Sequence, residues 1–218
     1  MKRNLSFALS LLSIVFALSA CATPLTYSAK EIRGRVVDAE TGQPVEGAVI
    51  VAQWILFEMG IGHGGHKGRL HIYETVTDNN GHYTIPAWGP KVHSPFTMLD
   101  NLDPEILIFK SGYEPRGLVN EHERTSSVRV SEWDGRVIKL KKFQGTIETY
   151  ANQILYVVST SLPDTGKVWR SFPRMVLALD AEDRRLKSLG LKPEYRATSF
   201  SVEYFDKADQ VFLRNLER

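Results

Sequence analysis

His63 and His66 stand three residues apart in the run His63-Gly-Gly-His66, with His71 close behind. Imidazoles so spaced on a flexible tip could share a zinc or copper ion. The glycines serve a polar hairpin tip equally well, and Glu58 and Glu74 lie outside the tip. A turn is therefore the plainer reading of these residues, with metal binding the alternative. Asp78, Asn79 and Asn80 could ligate calcium, although a hairpin turn explains them without it. Of the four tryptophans, Trp54 falls on an expected strand and reads as core. Trp88 and Trp133 fall in expected loops and are the better candidates for a glycan-stacking platform. Arg184-Arg185-x-Lys187 reads as a solvated helix face. There is no Gly-rich phosphate loop, nucleophile elbow or paired-histidine zinc helix.

The elements that would position these residues change character along the chain. From Glu31 to about Leu140 the pattern is β, with short alternating or β-branched runs cut by Gly, Pro, Asn and Asp. Seven strands are expected: Ile32–Asp38, Ala48–Phe57, Leu70–Thr77, His82–Pro86, Glu105–Lys110, Arg116–Val119 and Val137–Leu140. Frequent turns, such as Thr41-Gly42-Gln43-Pro44 and Asp78-Asn79-Asn80-Gly81, favour an antiparallel sandwich over a parallel sheet. After Phe143 the period becomes helical. Ile147, Tyr150, Ile154, Leu155 and Val158 mark one helix, and Met175, Leu177, Leu179, Leu186 and Leu189 a second. Pro173 and Gly190 bracket that second helix. A third is expected from about Ser201 to Leu216, with Phe205, Ala208, Val211, Phe212 and Leu216 inward. The fold class is thus mainly β, about seven antiparallel strands followed by a small α-helical region.

The N-terminus is organised for export. Lys2 and Arg3 precede an apolar stretch from Leu5 to Leu18, and Leu18-Ser19-Ala20 leads to Cys21, the only cysteine. The stretch is short and flanked as a signal peptide rather than a stable membrane span. Leu-Ser-Ala-Cys resembles the lipobox of bacterial lipoproteins. The resemblance implies cleavage before Cys21, which then carries a diacylglyceryl group and an amide-linked acyl chain such as palmitate. Ala22, where an aspartate would signal retention, implies the outer membrane of a Gram-negative cell. No internal disulfide can form, so about 200 mature residues must be held by core packing. Loss of Lys2 and Arg3 takes the formal charge from +2 to 0, which argues against nucleic acid as a partner. No later apolar run approaches the length of a span, so the covalent lipid is the only expected membrane anchor.

The run Ile32-Arg-Gly34-Arg-Val36-Val-Asp38-Ala-Glu-Thr41-Gly42-Gln-Pro44-Val45-Glu-Gly47-Ala48-Val49-Ile-Val51 resembles the carboxypeptidase regulatory-like domain. Thr77-Asp78-Asn79-Asn80-Gly81-His82-Tyr83 and Lys110-Ser-Gly112-Tyr113 are similar to its later signatures, in the same order. The resemblance covers about half of the chain and implies a transthyretin-like β-sandwich that is not itself catalytic. This chain departs from the compact pattern between Val51 and Thr77, with an enlarged hairpin tipped by Gly60 to Gly68. It departs again between Pro86 and Pro104, with a long loop carrying Trp88, His93 and Phe96. Long loops on a rigid frame are where specificity tends to sit.

Two short motifs invite catalytic readings. His71-Ile-Tyr-Glu74 has the His-x-x-Glu spacing of metallocarboxypeptidases, but on a strand an offset of three puts the two on opposite faces. Leu162-Pro163-Asp164-Thr165-Gly166 spells a sortase sorting motif, and its last three residues an aspartic-protease triplet. About fifty amphipathic residues follow it, and a helix-connecting turn suffices.

The expected organisation is a signal peptide at 1–20, a lipid-anchored tether at 21–30, the β region at 31–143 and the helical region at 144–218. The expected role is non-enzymatic: binding or scaffolding a protein of the envelope through the enlarged loops or the helices. The alternative is a metal- or glycan-binding module using His63 and His66, or Trp88 and Trp133. No resident cofactor is expected beyond the lipid on Cys21 and that optional zinc or copper.

Overall fold

The computed structural model describes residues 25–59, 65–163 and 166–216. Among them the chain is mainly β, with three helices at its C-terminal end. The strands are β1 (Thr26–Ala29), β2 (Ile32–Asp38), β3 (Val49–Glu58), β4 (His66–Val76), β5 (His82–Ile85) and β6 (Trp88–Val92). They continue with β7 (Thr97–Leu99), β8 (Glu105–Phe109), β9 (Arg116–Leu118), β10 (Val128–Arg129) and β11 (Arg136–Leu140). The helices are α1 (Ile147–Ser161), α2 (Pro173–Ser188) and α3 (Lys207–Leu216).

The strands form three sheets, ordered β10-β1-β6, β11-β2-β5 and β4-β3-β8-β9, with β7 added to the end of β3. Their pairing is mixed. Where antiparallel strands were expected throughout, β2 with β11 and β1 with β10 run parallel. These partners lie about a hundred residues apart, and so long a connection lets the chain re-enter from the same end.

The seven expected strands all form, β2 with the expected bounds. Four more lie in segments expected to be irregular. The supposed tether contains β1, the supposed loop after Pro86 contains β6 and β7, and β10 precedes β11. All four are five residues or shorter, and their partners are remote in sequence.

Turn chemistry agrees with the sequence reading. Asp78 Oδ1 accepts the backbone N–H groups of Asn80 and His82, at 2.9 and 2.8 Å. Gly81 closes that turn at φ +76°, and a Cβ there would clash with the Val36 carbonyl oxygen. Asp38 Oδ1 accepts from Glu40 and Thr41, while the Tyr113 hydroxyl donates to its Oδ2 at 3.0 Å. Those bonds hold its carboxyl well below the usual range.

β3 is buried along most of its length, which is why it reads as a continuous apolar run rather than an alternation. Ile50, Ala52 and Trp54 join Ile106 and Ile108 of β8 in a cluster shared with Ile32, Val36, Tyr83, Ile85, Ile138 and Leu140 of the β11-β2-β5 sheet. Val49, Val51, Leu107 and Phe109 join a second cluster with Ile154, Val158, Met175, Val176 and Leu179 of the helices. The β4-β3-β8-β9 sheet thus lies between another sheet and a helical layer.

Thr146 caps α1, accepting from the Thr149 N–H at 3.2 Å. Pro173 opens α2 and Gly190 follows its end at φ +100°, as the sequence indicates. The expected inward face of α3 is corrected in part: Phe205 does pack on the helical core, stacked on Trp169 at 4.7 Å, and Phe212 meets the same ring edge-on at 6.1 Å. The helix begins at Lys207 and buries Asp209 and Leu213, while Val211, Phe212 and Leu216 are exposed. Leu213 enters the helical core, and Arg170 binds Asp209 from the short 3-10 turn that precedes α2, which fixes the helix in this rotation.

Glu74 joins the two layers. From β4 its carboxylate accepts the N–H groups of Arg174 and Met175 in the first turn of α2, at 3.0 and 2.7 Å. Burial pushes its pKa up, against these bonds, which pull it down. A carboxylate at a helix N-terminus satisfies otherwise unpaired donors and complements the helix dipole. Glu74→Ala is expected to lower unfolding stability by about 1–2 kcal/mol in urea titration, with Glu74→Gln losing less; an unchanged midpoint would rule out this cap.

Candidate functional site

Cys21 and His63 lie outside the described residues. His66 opens β4 opposite Phe57, and its side chain is likewise outside them. His71 and Glu74 fall on opposite faces of β4, as their spacing requires: Glu74 meets α2, whereas His71 meets tryptophans. Trp88 opens β6 rather than lying in a loop, and is half-buried. Trp133 lies in a turn, its Nε1 donating to the Val119 carbonyl at 3.0 Å. The two tryptophans are held in separate contacts. Among the described residues no group of three or more His, Cys, Asp or Glu converges as a metal site.

The first site-like cluster forms where β6 packs on the β3–β4 hairpin. β6 pairs with β1 through Trp88 opposite Ala29 and Lys91 opposite Tyr27. Trp88 meets the fully buried Trp54 edge-on, with centroids 5.0 Å apart. His71 stacks on Trp54 at 5.6 Å and lies 5.1 Å from Trp88. Lys91 Nζ donates to His71 Nδ1 at 2.8 Å and stands 5.6 Å from the centre of the Trp88 ring. Burial, aided by the Lys91 charge, lowers the His71 pKa to about 4. The imidazole is therefore neutral and accepts from an ammonium group. Beside it opens a cavity of ≈ 360 Å³ bordered by Arg69, His71, Lys91, Pro163 and Val168. Arg69 is engaged by Gln53, its Nε donating at 3.1 Å. With Nδ1 accepting from Lys91, the neutral ring carries its proton on Nε2, so the cavity's border of cations and imidazole suits an anion or another hydrogen-bond acceptor.

A second polar cluster locks β1 and β10 to the chain around residue 100. Arg129 and Asp103 form a buried pair, Nε to Oδ1 at 2.7 Å, with both side chains almost wholly enclosed. Arg129 also donates to the carbonyls of Arg124 and Asp100. Its guanidinium lies 5.6 Å from the centre of the Tyr27 ring, which stacks on His93 at 4.9 Å. Burial pushes the Asp103 pKa up to about 7, with Arg129 opposing. Nothing in the sequence pattern points to this pair, whose members come from a turn and a two-residue strand. Its geometry fixes the N-terminal strand rather than presenting groups to a ligand.

Another cavity, ≈ 580 Å³, lies between α2 and α3. Two of its carboxylates, Asp180 and Asp183, are engaged in structure. Asp180 pairs with Arg184 at 3.0 Å and accepts the Val202 N–H; Asp183 pairs with Lys187 at 2.7 Å and accepts the Ala197 N–H. Beyond this cavity the outer side of α3 carries Val211, Phe212 and Leu216, at 55%, 40% and 44% exposure.

The depressed His71 pKa gives a signed pH effect. An unfolded chain protonates this histidine near 6.5 and the folded chain only near 4, so stability is full above 6.5 and is lost as pH falls toward 4. Compared with His71→Gln, the natural protein is expected to lose about 1–2 kcal/mol more across that window, allowing for solvent screening. Urea midpoints measured against pH check this, and parallel profiles for the two proteins would contradict it.

No family model matches the chain, and no curated protein matches it. Solved structures with partial similarity include a streptococcal ancillary pilin, at 13% identity over 53% of this chain and 30% of that one, TM-score 0.25. A 3-chlorocatechol 1,2-dioxygenase from Rhodococcus opacus 1CP aligns at 16% identity over 54% and 61%, TM-score 0.27. A 9R-lipoxygenase from Cyanothece PCC8801 aligns at 12% identity over 76% and 25%, TM-score 0.24. The chain spans less than two thirds of each, and similarity at this level carries no argument about fold or activity.

Proposed function

We propose that this chain is a lipid-anchored, non-enzymatic protein of the cell envelope that binds a protein partner through its C-terminal helices. In this reading Cys21 carries the lipid in the outer membrane, and the β region is a transthyretin-like sandwich of the carboxypeptidase regulatory-like kind. The apolar cluster shared by the β11-β2-β5 and β4-β3-β8-β9 sheets supports the sandwich. So do the turns at Asp38 and Asp78, which fall on the resembling motifs.

The observation that carries the partner reading is the outward face of α3. Ala208, Val211 and Leu216 recur at helical spacing on its solvent side, and Phe212 beside them is 40% exposed, with one edge of its ring against Trp169. Tyr204, just before the helix, is 81% exposed. Isolated exposed apolar residues are ordinary, but a stripe along one helix is the form a helix-in-groove contact takes. The occupant is a protein rather than the tethering membrane. Leu213 of α3 packs in the cluster on one face of the central sheet, whereas Tyr27 and Ala29 of β1 pack in the cluster on the other. The stripe therefore belongs to the layer opposite the tethered strand.

A photocrosslinking residue at Val211 or Phe212 of the full lipidated chain is expected to yield one discrete adduct in cells, absent from the same residue at Lys139 on β11. No adduct, or the same adducts from Lys139, would contradict this use of α3. Cys21→Ser is expected to abolish metabolic acyl labelling, and retained labelling would refute the anchor.

A further inference from the structure

The exposed apolar side chains of this molecule are not scattered evenly. Leu25, Val92 and Phe96 are 52%, 75% and 70% exposed, and they gather where the chain enters the fold. The His93 N–H donates to the Leu25 carbonyl at 3.1 Å, and Val92 pairs with Thr26 across β1 and β6. Phe96 tops the turn that follows, and its carbonyl accepts the Met59 N–H at 2.8 Å. Met59 and Met98 extend the patch, each 37% exposed. The backbone beneath is held by Tyr27, His93 and Arg129, so these side chains sit on a fixed frame. Neither Leu25–Thr26 nor the run from Val92 to Phe96 contains a carboxylate; the exposed Glu58 lies at the far side of the patch, beside Met59 and opposite Thr97.

We propose that this rim is a membrane-docking edge, with Leu25, Val92 and Phe96 seated in the interfacial layer of the bilayer that holds the lipid on Cys21. The proposal rests on the lipid-anchor reading and deepens it. Only Ala22, Thr23 and Pro24 separate Cys21 from Leu25. Fully extended, that chain reaches at most about 14 Å. The headgroup layer is itself roughly 5–8 Å deep on each side of the hydrocarbon. The protein therefore cannot stand off from the membrane, and the surface around Leu25 is the one brought against it. Three apolar side chains exposed there would be unfavourable in water and favourable among headgroups and upper acyl segments. Docking at this edge also fixes orientation. A single flexible attachment allows the body to swing; a second, rigid contact beside it holds the helical layer at a set angle.

The test uses the full lipidated protein in phosphatidylethanolamine–phosphatidylglycerol vesicles. Cys21 is the only natural cysteine, so once acylated it leaves Val92→Cys, Phe96→Cys or Tyr204→Cys as the sole labelling site for an environment-sensitive fluorophore. Labels at 92 and 96 are expected to shift to the blue and to be quenched by nitroxide lipids roughly threefold more than the label at 204. Protein that floats with the vesicles while all three labels remain water-like would overturn the docking edge and leave the anchor standing. A blue-shifted label that nitroxide lipids do not quench would mean that another protein surface covers the rim, and would overturn it as well. Protein that fails to float would overturn the anchor and the edge together.

Discussion

Val49, Val51, Leu107 and Phe109 lie on the face of the central sheet that the second sheet does not cover, and each is buried under helices. Burying a large apolar side chain is worth roughly 1.5–3 kcal/mol. Uncovering four would therefore forfeit about 6–12 kcal/mol, an upper estimate but one comparable with the whole stability of a domain. Coverage of that face is thus a condition for the sheet's existence. The helical region cannot be treated as an appendage of the β region, although residue 143 divides the two by local pattern.

The seam between the layers is polar where it must be. Gln53, fully buried on β3, donates from Nε2 to the Ser161 carbonyl at the end of α1, at 2.8 Å. The Tyr150 hydroxyl accepts the Gly112 N–H at 2.8 Å and donates to the Tyr113 carbonyl at 3.0 Å; burial pushes its pKa up. The Ser111 hydroxyl donates to Glu182 of α2. Each bond engages a buried group of one layer, and each fixes the position of one layer on the other. The same firmness passes to the surface: α3 is held by Leu213 and Asp209, so its outward stripe is presented in one orientation.

Legibility in the sequence followed the range of the interactions. β2 could be read to the residue because its turns carry their own signals, Asp38 with Gly42 at its end and Asp78 with Gly81 before its partner β5. β1, β6, β7 and β10 carry no comparable local pattern, since they exist through pairing with distant segments. Pro90 even argues against a strand, and is tolerated because β6 is the edge of its sheet. The spacing of His71 and Glu74 was enough to separate them onto two faces, but not to show that one meets Trp54 and the other caps α2. Arg129 and Asp103 could not be paired in advance because their contact is wholly tertiary. The rotation of α3 is hidden from the sequence for a related reason. Its apolar stripe resembles an inward face, and only the fit of Leu213 into the core decides otherwise.

Sheet and helices form one cooperative unit through the covered face of β3 and β8. Two single-tryptophan proteins would test it, one keeping only Trp54 in the sheet core and one only Trp169 in the helical core. Each would be unfolded in urea and followed by fluorescence. The two midpoints should coincide with each other and with the loss of helical signal by circular dichroism. Helices that melt first, leaving Trp54 in its native environment, would contradict the claim.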